Sequence, residues 1–175
     1  MQVRLSAYQQ EWADEFRRES KLLATLLWPN EVAFEHFGST SVPGMVAKPV
    51  IDMLGIVRDI SIIDGQTTAR LTDIGYEFGG EWGIPGRRLF RKGGTDRTHH
   101  LHFYGMGNPE IMRHLILRDF LRNHPDEVRA YSLYKQQLAI QYPDTREYSV
   151  AKHDFVQHLE CRALAWKARG TTREK

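Results

Sequence analysis

The sequence predicts an α+β fold in which a mixed β-sheet, flanked by helices, is followed by a helical C-terminal portion. Two observations favour this class. Over residues 1–107, short apolar runs alternate with glycine-rich turns, which is typical of strands joined by tight connections. Over residues 108–175, apolar residues recur at helical spacing. Because no flexible linker or low-complexity tract separates the two parts, we expect one domain of 175 residues with a shared core.

The first part of the chain contains two predicted helices and several strands. Apolar residues at helical spacing predict an amphipathic helix over Tyr8–Trp28, which ends at Pro29. A second helix is expected over Ser61–Ile74, because Gly75 follows it as a stop signal. Apolar runs bounded by turn residues predict the strands, which are Val32–Phe37, Val50–Val57 and a hairpin of Arg87–Lys92 with His99–Tyr104.

The second part of the chain predicts three helices. Apolar residues mark the first helix from Ile111 to Leu121, and His124-Pro125 ends it. They mark the second from Val128 to Tyr142, where the acidic pair Asp126-Glu127 suits the helix N-terminus. The third helix is marked from Phe155 to Trp166.

Composition and charge exclude several classes of protein. The formal net charge is only +2, which does not indicate a nucleic-acid-binding protein. No apolar run approaches the roughly 18 to 20 residues of a membrane span, and the first residues lack the apolar core of a signal peptide. We therefore expect a cytoplasmic protein without a membrane partner. A basic cluster between Arg87 and Arg97 either grips phosphate or protects the edge of a hairpin.

The main candidate site lies between the first two predicted strands. Gly38 permits close approach of the backbone to a ligand, and Ser39, Thr40 and Ser41 can present hydroxyl and N–H groups to an anion such as phosphate. The second strand carries one carboxylate, Asp52, within an almost continuous apolar run. A buried carboxylate must be paired, hydrogen-bonded or bound to a metal, because an isolated buried charge is very costly.

A family resemblance extends over nearly the whole chain. The string HFGSTSVPGMVAKPVIDM, at residues 36–53, resembles the GrpB family, a branch of the nucleotidyltransferase superfamily. Further matches are RDFLRNHP at residues 118–125, YSLYK at residues 131–135 and AKHDF at residues 151–155. The resemblance implies a nucleotidyltransferase-like sheet, a nucleotide or another phosphorylated small molecule bound at the turn, and a divalent metal, Mg²⁺ or Mn²⁺, held by Asp52.

The chain departs from the superfamily pattern at one position. The active pattern has a second carboxylate two residues after the first, on the same face of the strand, and this chain has Leu54 there. Two-metal chemistry needs several carboxylates, so the site is short of one ligand. The resemblance to nucleotidyltransferases implies that the strand with His102 is one that often carries a further metal-binding carboxylate in that superfamily. We therefore predict a mixed site of Asp52, His102 and His36, with Asp52 and His102 as the catalytic residues.

The histidines leave alternatives open. Imidazole prefers transition metals to Mg²⁺. His102 could equally donate to a phosphate, act as a general acid–base group, or be a hydrogen-bonded core histidine. His100 shares a strand face with His102. A transition-metal hydrolase ranks lowest among the candidate functions, because the sequence shows no close motif of two histidines and one carboxylate.

Several basic residues are expected to assist ligand binding. Lys48 can reach a phosphate at the turn, and Lys152 lies at the head of the last helix, facing either the cleft or solvent. Arg118 either contacts the ligand or forms a structural ion pair with Asp119. The predicted ligand-binding residues are Gly38, Ser39, Thr40, Ser41, Lys48, Arg88, Arg118 and Lys152.

Two functions from different classes follow. The first is a GrpB-type nucleotidyltransferase-like protein that binds a nucleotide or phosphorylated small molecule and carries out metal-dependent nucleotidyl transfer. The second is a non-catalytic domain that assists folding, as the resemblance to the C-terminal extension of some dephospho-CoA kinases implies. The apolar Leu54 favours the second function, and an exposed apolar patch would support it.

Overall fold

A five-stranded sheet lies at the centre of the structure, a computed structural model that describes residues 2–171. The strands are β1 (Val32–Phe37), β2 (Ile51–Val57), β3 (Tyr76–Gly80), β4 (Arg88–Lys92) and β5 (His99–Gly105). Their spatial order is β1-β2-β5-β4-β3. Strands β2 and β5 are parallel, and all other neighbours are antiparallel. The predicted α+β fold with a mixed sheet and helical C-terminal portion is confirmed.

The helices are α1 (Glu11–Leu27), α2 (Gly65–Asp73), α3 (Pro109–Asn123), α4 (Pro125–Gln141), α5 (Thr145–Ala151) and α6 (His153–Thr171). Helix α2 begins later than predicted, because the Asp64 side chain caps it by accepting a hydrogen bond from the N–H of Thr67. Helix α5 is an addition to the three predicted helices, and Asp144 caps it in the same way. Within residues 2–171, none of the helices combines the length and apolar character that a membrane crossing requires.

The two faces of the sheet carry different layers. Met53 of β2, Leu101 of β5 and Phe90 of β4 are neighbours in register and belong to the core beneath α1 and α2. Leu54 of β2 faces the opposite side and packs in the cluster that includes Ile111 of α3. Helices α3, α4 and α6 form a further apolar cluster around the segment that follows β1. Alternation along β2 therefore directs Asp52 to the face that the C-terminal helices cover.

A buried polar network joins α1 to the far strands of the sheet. The hydroxyl of Tyr76 on β3 donates to Oε1 of Glu19 at 2.9 Å, and Nζ of Lys92 on β4 donates to the same oxygen at 2.8 Å. The Glu19 side chain is only 11% exposed. Burial, with the neighbouring Glu19 charge, raises the pKa of Tyr76, so the phenol remains a donor. The carboxylate is thus satisfied by two donors from two different strands.

Replacing Glu19 by alanine is expected to lower the free energy of unfolding by about 2 to 4 kcal/mol, because Tyr76 and Lys92 lose their shared acceptor in a partly buried place. Urea denaturation measures the change. The matched control is Glu77→Ala, which removes an ion pair with Arg97 on the same part of the sheet. Since Glu77 is 51% exposed, its loss should cost less than about 0.5 kcal/mol. Equal losses in the two variants would contradict the role of the network.

Candidate functional site

Gly38 brings the end of β1 against Asp52. Its φ of 71° and ψ of −173° lie in a region that essentially only glycine adopts. A Cβ atom at this position would overlap Oδ2 of the Asp52 carboxylate. Glycine is therefore required here both for its backbone conformation and for the close approach of the carboxylate to the turn.

The three hydroxyl groups of the turn have different partners. Thr40 is buried, donates from Oγ1 to the carbonyl oxygen of Val50 at 3.1 Å, and lies 3.1 Å from Nε2 of His36. Ser41 is also buried and donates to the carbonyl oxygen of Gly38 at 2.7 Å. Ser39 instead lines an open cleft and accepts a hydrogen bond from a lysine. Of the predicted hydroxyl ligands, Ser39 is the one that faces a space for a ligand.

The parallel pairing of β2 with β5 brings Asp52 together with two histidines. Asp52 lies opposite His100, and Leu54 lies opposite His102. Oδ1 of Asp52 is 3.1 Å from Nδ1 of His100. One potential ligand atom from each of Asp52, His100 and His102 lies within 4.8 Å of the other two. The structure thus forms the set of two histidines and one carboxylate that the sequence did not reveal.

Burial and charge determine the protonation of this cluster. Burial opposes ionisation of Asp52, but the hydrogen bond from His100 and nearby positive charges hold its pKa below the usual value. Burial lowers the pKa of His102 to about 3, although the Asp52 charge acts in the opposite direction. At neutral pH the cluster therefore contains a carboxylate beside a neutral His102 imidazole, which is the form that binds metals.

His36 lies outside the cluster, which corrects its predicted role as a metal ligand. It is adjacent to Phe37 on β1 and points to the opposite face of the sheet, because side chains alternate along a strand. There its ring stacks on Phe16 of α1 with centroids 4.9 Å apart. Burial lowers its pKa to about 4. His36 therefore supports the turn through its contact with Thr40. The second histidine beside Asp52 and His102 is His100, not His36.

His102 has an unusual environment for a buried imidazole. Its Nε2 atom is buried and, within the part of the chain that the structure describes, has no hydrogen-bond partner. Its Nδ1 atom lies 3.5 Å from Nη1 of Arg87, at the limit of a hydrogen bond. Arg87 is itself buried and donates to the carbonyl oxygens of Glu81 and Trp82. The sequence prediction missed Arg87, although the basic cluster contained it.

A cleft of about 230 Å³ lies between the turn, Asp52 and helices α3, α4 and α6. Lys152 lines this cleft, so its side chain faces the cleft rather than bulk solvent. Burial, with the nearby charge of Lys48, lowers the pKa of Lys152 to about 8. The residues that line the cleft are Phe37, Gly38, Ser39, Asp52, Arg113, His114, Leu117, Arg118, Leu121, Tyr131, Lys152, Val156 and Glu160.

Lys48 lies in a neighbouring cavity rather than in this cleft. That cavity, of about 190 Å³, is lined by Lys48 together with His100. The Lys48 and Lys152 amines lie 5.7 and 5.5 Å from the ring centroid of Tyr148. Burial lowers the pKa of Lys48, with Asp52 opposing the shift. Asp52 thus has one lysine in each of the two adjoining spaces.

Lys135 of α4 is a site residue that the predicted list lacked. Its side chain is 2% exposed, and Nζ donates to Oγ of Ser39 at 3.0 Å. The amine also lies 4.4 Å from the ring centroid of Tyr131. Burial, followed by the charge of Lys152, lowers the pKa of Lys135 to about 6. The family resemblance at residues 131–135 was the sequence signal that could have identified it.

Of the two predicted ligand-binding arginines, Arg118 lines the cleft and Arg88 lies away from it. Arg88 lies opposite Phe103, on the face beneath α1 and α2, and its Nη1 atom is 3.6 Å from Oε1 of Glu81. In Arg118, the Nη1 and Nε atoms bond protein groups. Nη1 bonds Glu35 at 2.6 Å and the carbonyl oxygen of His36 at 3.0 Å, and Nε bonds Asp119 at 2.8 Å. Arg118 ties α3 to β1, as the structural alternative proposed.

The variant Gly38→Ala tests the contact between the turn and Asp52. It should lower the free energy of unfolding by about 2 to 4 kcal/mol, through backbone strain and overlap with the carboxylate. In Gly94→Ala, φ is also positive at 55° but no heavy atom lies within 4 Å, so strain alone should cost roughly 1 to 2 kcal/mol.

A double-mutant cycle separates the two causes. The cost of Gly38→Ala should fall when it is introduced into Asp52→Ala, because the overlapping carboxylate is then absent. Urea denaturation of the four proteins gives the coupling energy. A cost that is the same in both backgrounds would show that Asp52 does not press on the turn.

The fold and the site together define an α+β protein with a carboxylate–imidazole cluster beside a glycine–serine turn. The family model described as GrpB protein matches residues 2–162, and the chain belongs to the GrpB family. The family prediction is therefore confirmed.

Relatives agree with this assignment in sequence and in structure. The crystal structure of conserved protein GrpB from Enterococcus faecalis superposes with a TM-score of 0.88 and 41% identity, covering 94% of this chain and 99% of that one. UPF0157 protein YqkA of Bacillus subtilis is 44% identical over 94% of this chain. A UPF0157 protein of Pseudomonas aeruginosa is 38% identical over 88% of it. This chain spans 48% of the first of these two curated relatives and 64% of the second.

Proposed function

We propose that this chain binds a nucleotide or another phosphorylated small molecule in the cleft beside Gly38 and Ser39. One observation carries the proposal: the Lys152 side chain lines the cleft, the Lys135 amine contacts the Ser39 hydroxyl at its wall, and within residues 2–171 neither lysine forms an ion pair with a carboxylate. Burying unpaired amines is costly. A phosphate group in the cleft would give the Lys152 amine a partner of opposite charge.

Asp52, His100 and His102 fit a divalent transition metal such as Mn²⁺ better than Mg²⁺. They offer one carboxylate and two imidazoles, and Leu54, where a second carboxylate is expected, is buried in an apolar cluster. Mg²⁺ prefers oxygen ligands, whereas imidazole suits transition metals. The buried, unpartnered Nε2 atom of His102 supports this fit. When bound, such a metal would neutralise charge that develops on a phosphate.

Nucleotidyl transfer is the reaction that the resemblance favours for this site. Lys152 would orient the phosphates, with the Ser39 hydroxyl beside them in the same cleft. The walls of the cleft also include the apolar side chains of Leu117, Leu121 and Val156. These contributions are binding and orientation, which supply much of the catalysis of phosphoryl and nucleotidyl transfer.

A partner-binding role, the second candidate, is favoured by one observation on α4. Leu133 and Ile140, two turns apart on one face of this helix, are 61% and 86% exposed. If the domain assists folding of a client enzyme through this face, Leu133→Ser with Ile140→Ser should abolish its effect on the refolding yield. Binding of phosphorylated ligands should be unchanged in the same variant. An unaffected refolding yield would remove this candidate.

Calorimetric titration with nucleoside triphosphates, with and without Mn²⁺ or Mg²⁺, tests the proposed function. Wild type should bind, and Lys152→Met should weaken binding by about tenfold, because a charge-assisted hydrogen bond is lost. The replacement of both Asp52 and His102 by alanine should remove any enhancement by Mn²⁺. The matched control is Lys21→Met, on the exposed surface of α1, which should bind as wild type does.

Two results of this titration would overturn the proposed function. One is no binding by a folded wild-type protein with any of these nucleotides. The other is binding that stays unchanged in the double variant Ser39→Ala with Asp52→Ala, because this variant removes the Ser39 hydroxyl and the Asp52 carboxylate from the lining of the cleft.

Binding should be linked to proton uptake. The Lys152 pKa of about 8 leaves much of this cleft amine neutral at pH 8 and above. A bound anion stabilises the protonated amine and raises that pKa, so affinity should increase as pH falls from about 9 to about 7. Calorimetry in buffers of different ionisation enthalpy counts the protons. Lys152→Met should take up fewer protons than wild type on binding the same ligand, and equal uptake would exclude Lys152 as the linked group.

A further inference from the structure

Lys135 and Ser39 form an isolated pair. Nζ and Oγ are 3.0 Å apart, across the interface between α4 and the turn that follows β1. Within the described part of the chain, the Ser39 hydroxyl is the one hydrogen-bond partner of the Lys135 amine, and no carboxylate pairs with it. The ring of Tyr131 covers one side of the amine. Such a lysine contributes little to stability, because its burial is costly and one neutral hydroxyl compensates it poorly.

The chemistry of such a pair is well defined. A lysine in an apolar pocket without a counter-ion loses its proton readily, and the neutral amine can then accept the proton of an adjacent hydroxyl. Burial lowers the pKa of Lys135 to about 6, which makes the neutral form the main one at pH 7. Pairs of serine and lysine are an established variant of the nucleophile and general base.

The position of Ser39 distinguishes it from its neighbours in the turn. Thr40 and Ser41 donate their hydroxyl protons to the carbonyl oxygens of Val50 and Gly38, so neither is free to act. Ser39 borders the cleft together with Lys152 and Asp52. Its carbonyl oxygen accepts from the N–H of Val42 at 3.3 Å, which fixes the backbone of the turn. The hydroxyl is therefore both accessible and held in place.

We propose that Ser39 is a nucleophile and Lys135 its general base, and that the phosphorylated ligand of this cleft transfers its phosphoryl group to Oγ of Ser39. The choice of a phosphoryl substrate rests on the proposed function, because it depends on phosphate binding in this cleft. The pairing of nucleophile and base does not depend on it. Ser39 and Lys135 thus become catalytic residues, whereas the resemblance implied only that Ser39 contacts phosphate.

The transfer balances without any further reactant except water. As the Oγ–P bond forms, Nζ of Lys135 takes the hydroxyl proton, and the bond between phosphorus and the leaving oxygen breaks. The lysine then returns the proton to that oxygen. In the second step a water oxygen attacks phosphorus, Lys135 takes a proton from the water, and the Oγ–P bond breaks. Oγ regains the proton from Lys135, and inorganic phosphate leaves.

An alkyl fluorophosphonate tests the nucleophile directly, because it carries an electrophilic phosphorus with fluoride as the leaving group. Peptide mass spectrometry of the labelled full chain should find the adduct on Ser39. Labelling should be lost in Ser39→Ala and should slow at least about 100-fold in Lys135→Met, the lower bound typical of a lost general base. The rate should rise with pH through about 6, where the Lys135 amine loses its proton.

Lys135→Arg separates general-base catalysis from simple charge. Arginine stays protonated and positively charged across this pH range, so it cannot accept the Ser39 proton and this variant should also label slowly. Ser149→Ala and Lys21→Met, at exposed positions, are the matched controls and should label as wild type does. Thermal unfolding confirms that each variant is folded. Lys135→Met should be at least as stable as wild type, because an apolar side chain replaces a buried amine.

The outcomes separate this inference from the proposed function. A folded wild type that is not labelled at Ser39, or Lys135→Arg labelled at the wild-type rate, overturns the pair. If nucleotides bind in calorimetry while Ser39 fails to label, the cleft binds phosphate but Ser39 is not a nucleophile. If Ser39 labels through Lys135 while no phosphorylated ligand binds, the pair stands and the proposed substrate class is wrong.

Discussion

The parallel pairing of β2 with β5 is the constraint on which the rest of the site depends. It places Asp52 beside His100, residues separated by 48 positions in the chain. The register is fixed from the other face, where Met53 of β2 and Leu101 of β5 lie in the apolar core. A slip of one residue would send the Asp52 carboxylate into that core. Packing beneath α1 and α2 therefore determines the geometry of a polar cluster on the opposite side of the sheet.

The same alternation explains why Leu54 is not a ligand. It points to the face of Asp52 and lies opposite His102, as a second carboxylate would. In this chain, however, it is fully buried with Phe37 and Tyr104 under α3. A carboxylate among these side chains would lack hydrogen-bond partners and would be costly. Apolar packing under the helices thus occupies the position of a second carboxylate. The potential metal ligands beside Asp52 are the imidazoles of His100 and His102.

Electrostatics around the cleft favours anions. Lys152 lines the cleft and Lys135 contacts Ser39 at its wall, and within residues 2–171 neither has a paired carboxylate. Arg87 adds a positive charge near His102. By contrast, Arg118 has Glu35 and Asp119 as partners and serves the packing of α3 on β1. The same residue type therefore has different roles according to its partners. Unpaired amines at a cleft are costly to the fold, and the proposed phosphorylated ligand would offset that cost.

The sequence by itself determined the local elements and the organising motif. Strand β1, the Gly38 turn, the position of Asp52 on β2 and the hairpin of β4 with β5 all follow from apolar periodicity and turn residues, which act between near neighbours. The sequence analysis did not predict the short helix α5, because its main local signal is one capping residue, Asp144. The same local information also carried the family resemblance.

Only the tertiary structure decided which side chains meet. His100 joined Asp52 and His102, whereas His36 turned to the other face of the sheet. Arg87, directly before β4, lies near His102, whereas Arg88, the first residue of β4, lies on the opposite face of the sheet. Lys135 met Ser39 only because α4 packs against the turn. Such contacts depend on strand register and helix docking, which arise from packing over the whole domain and leave no local trace in the chain.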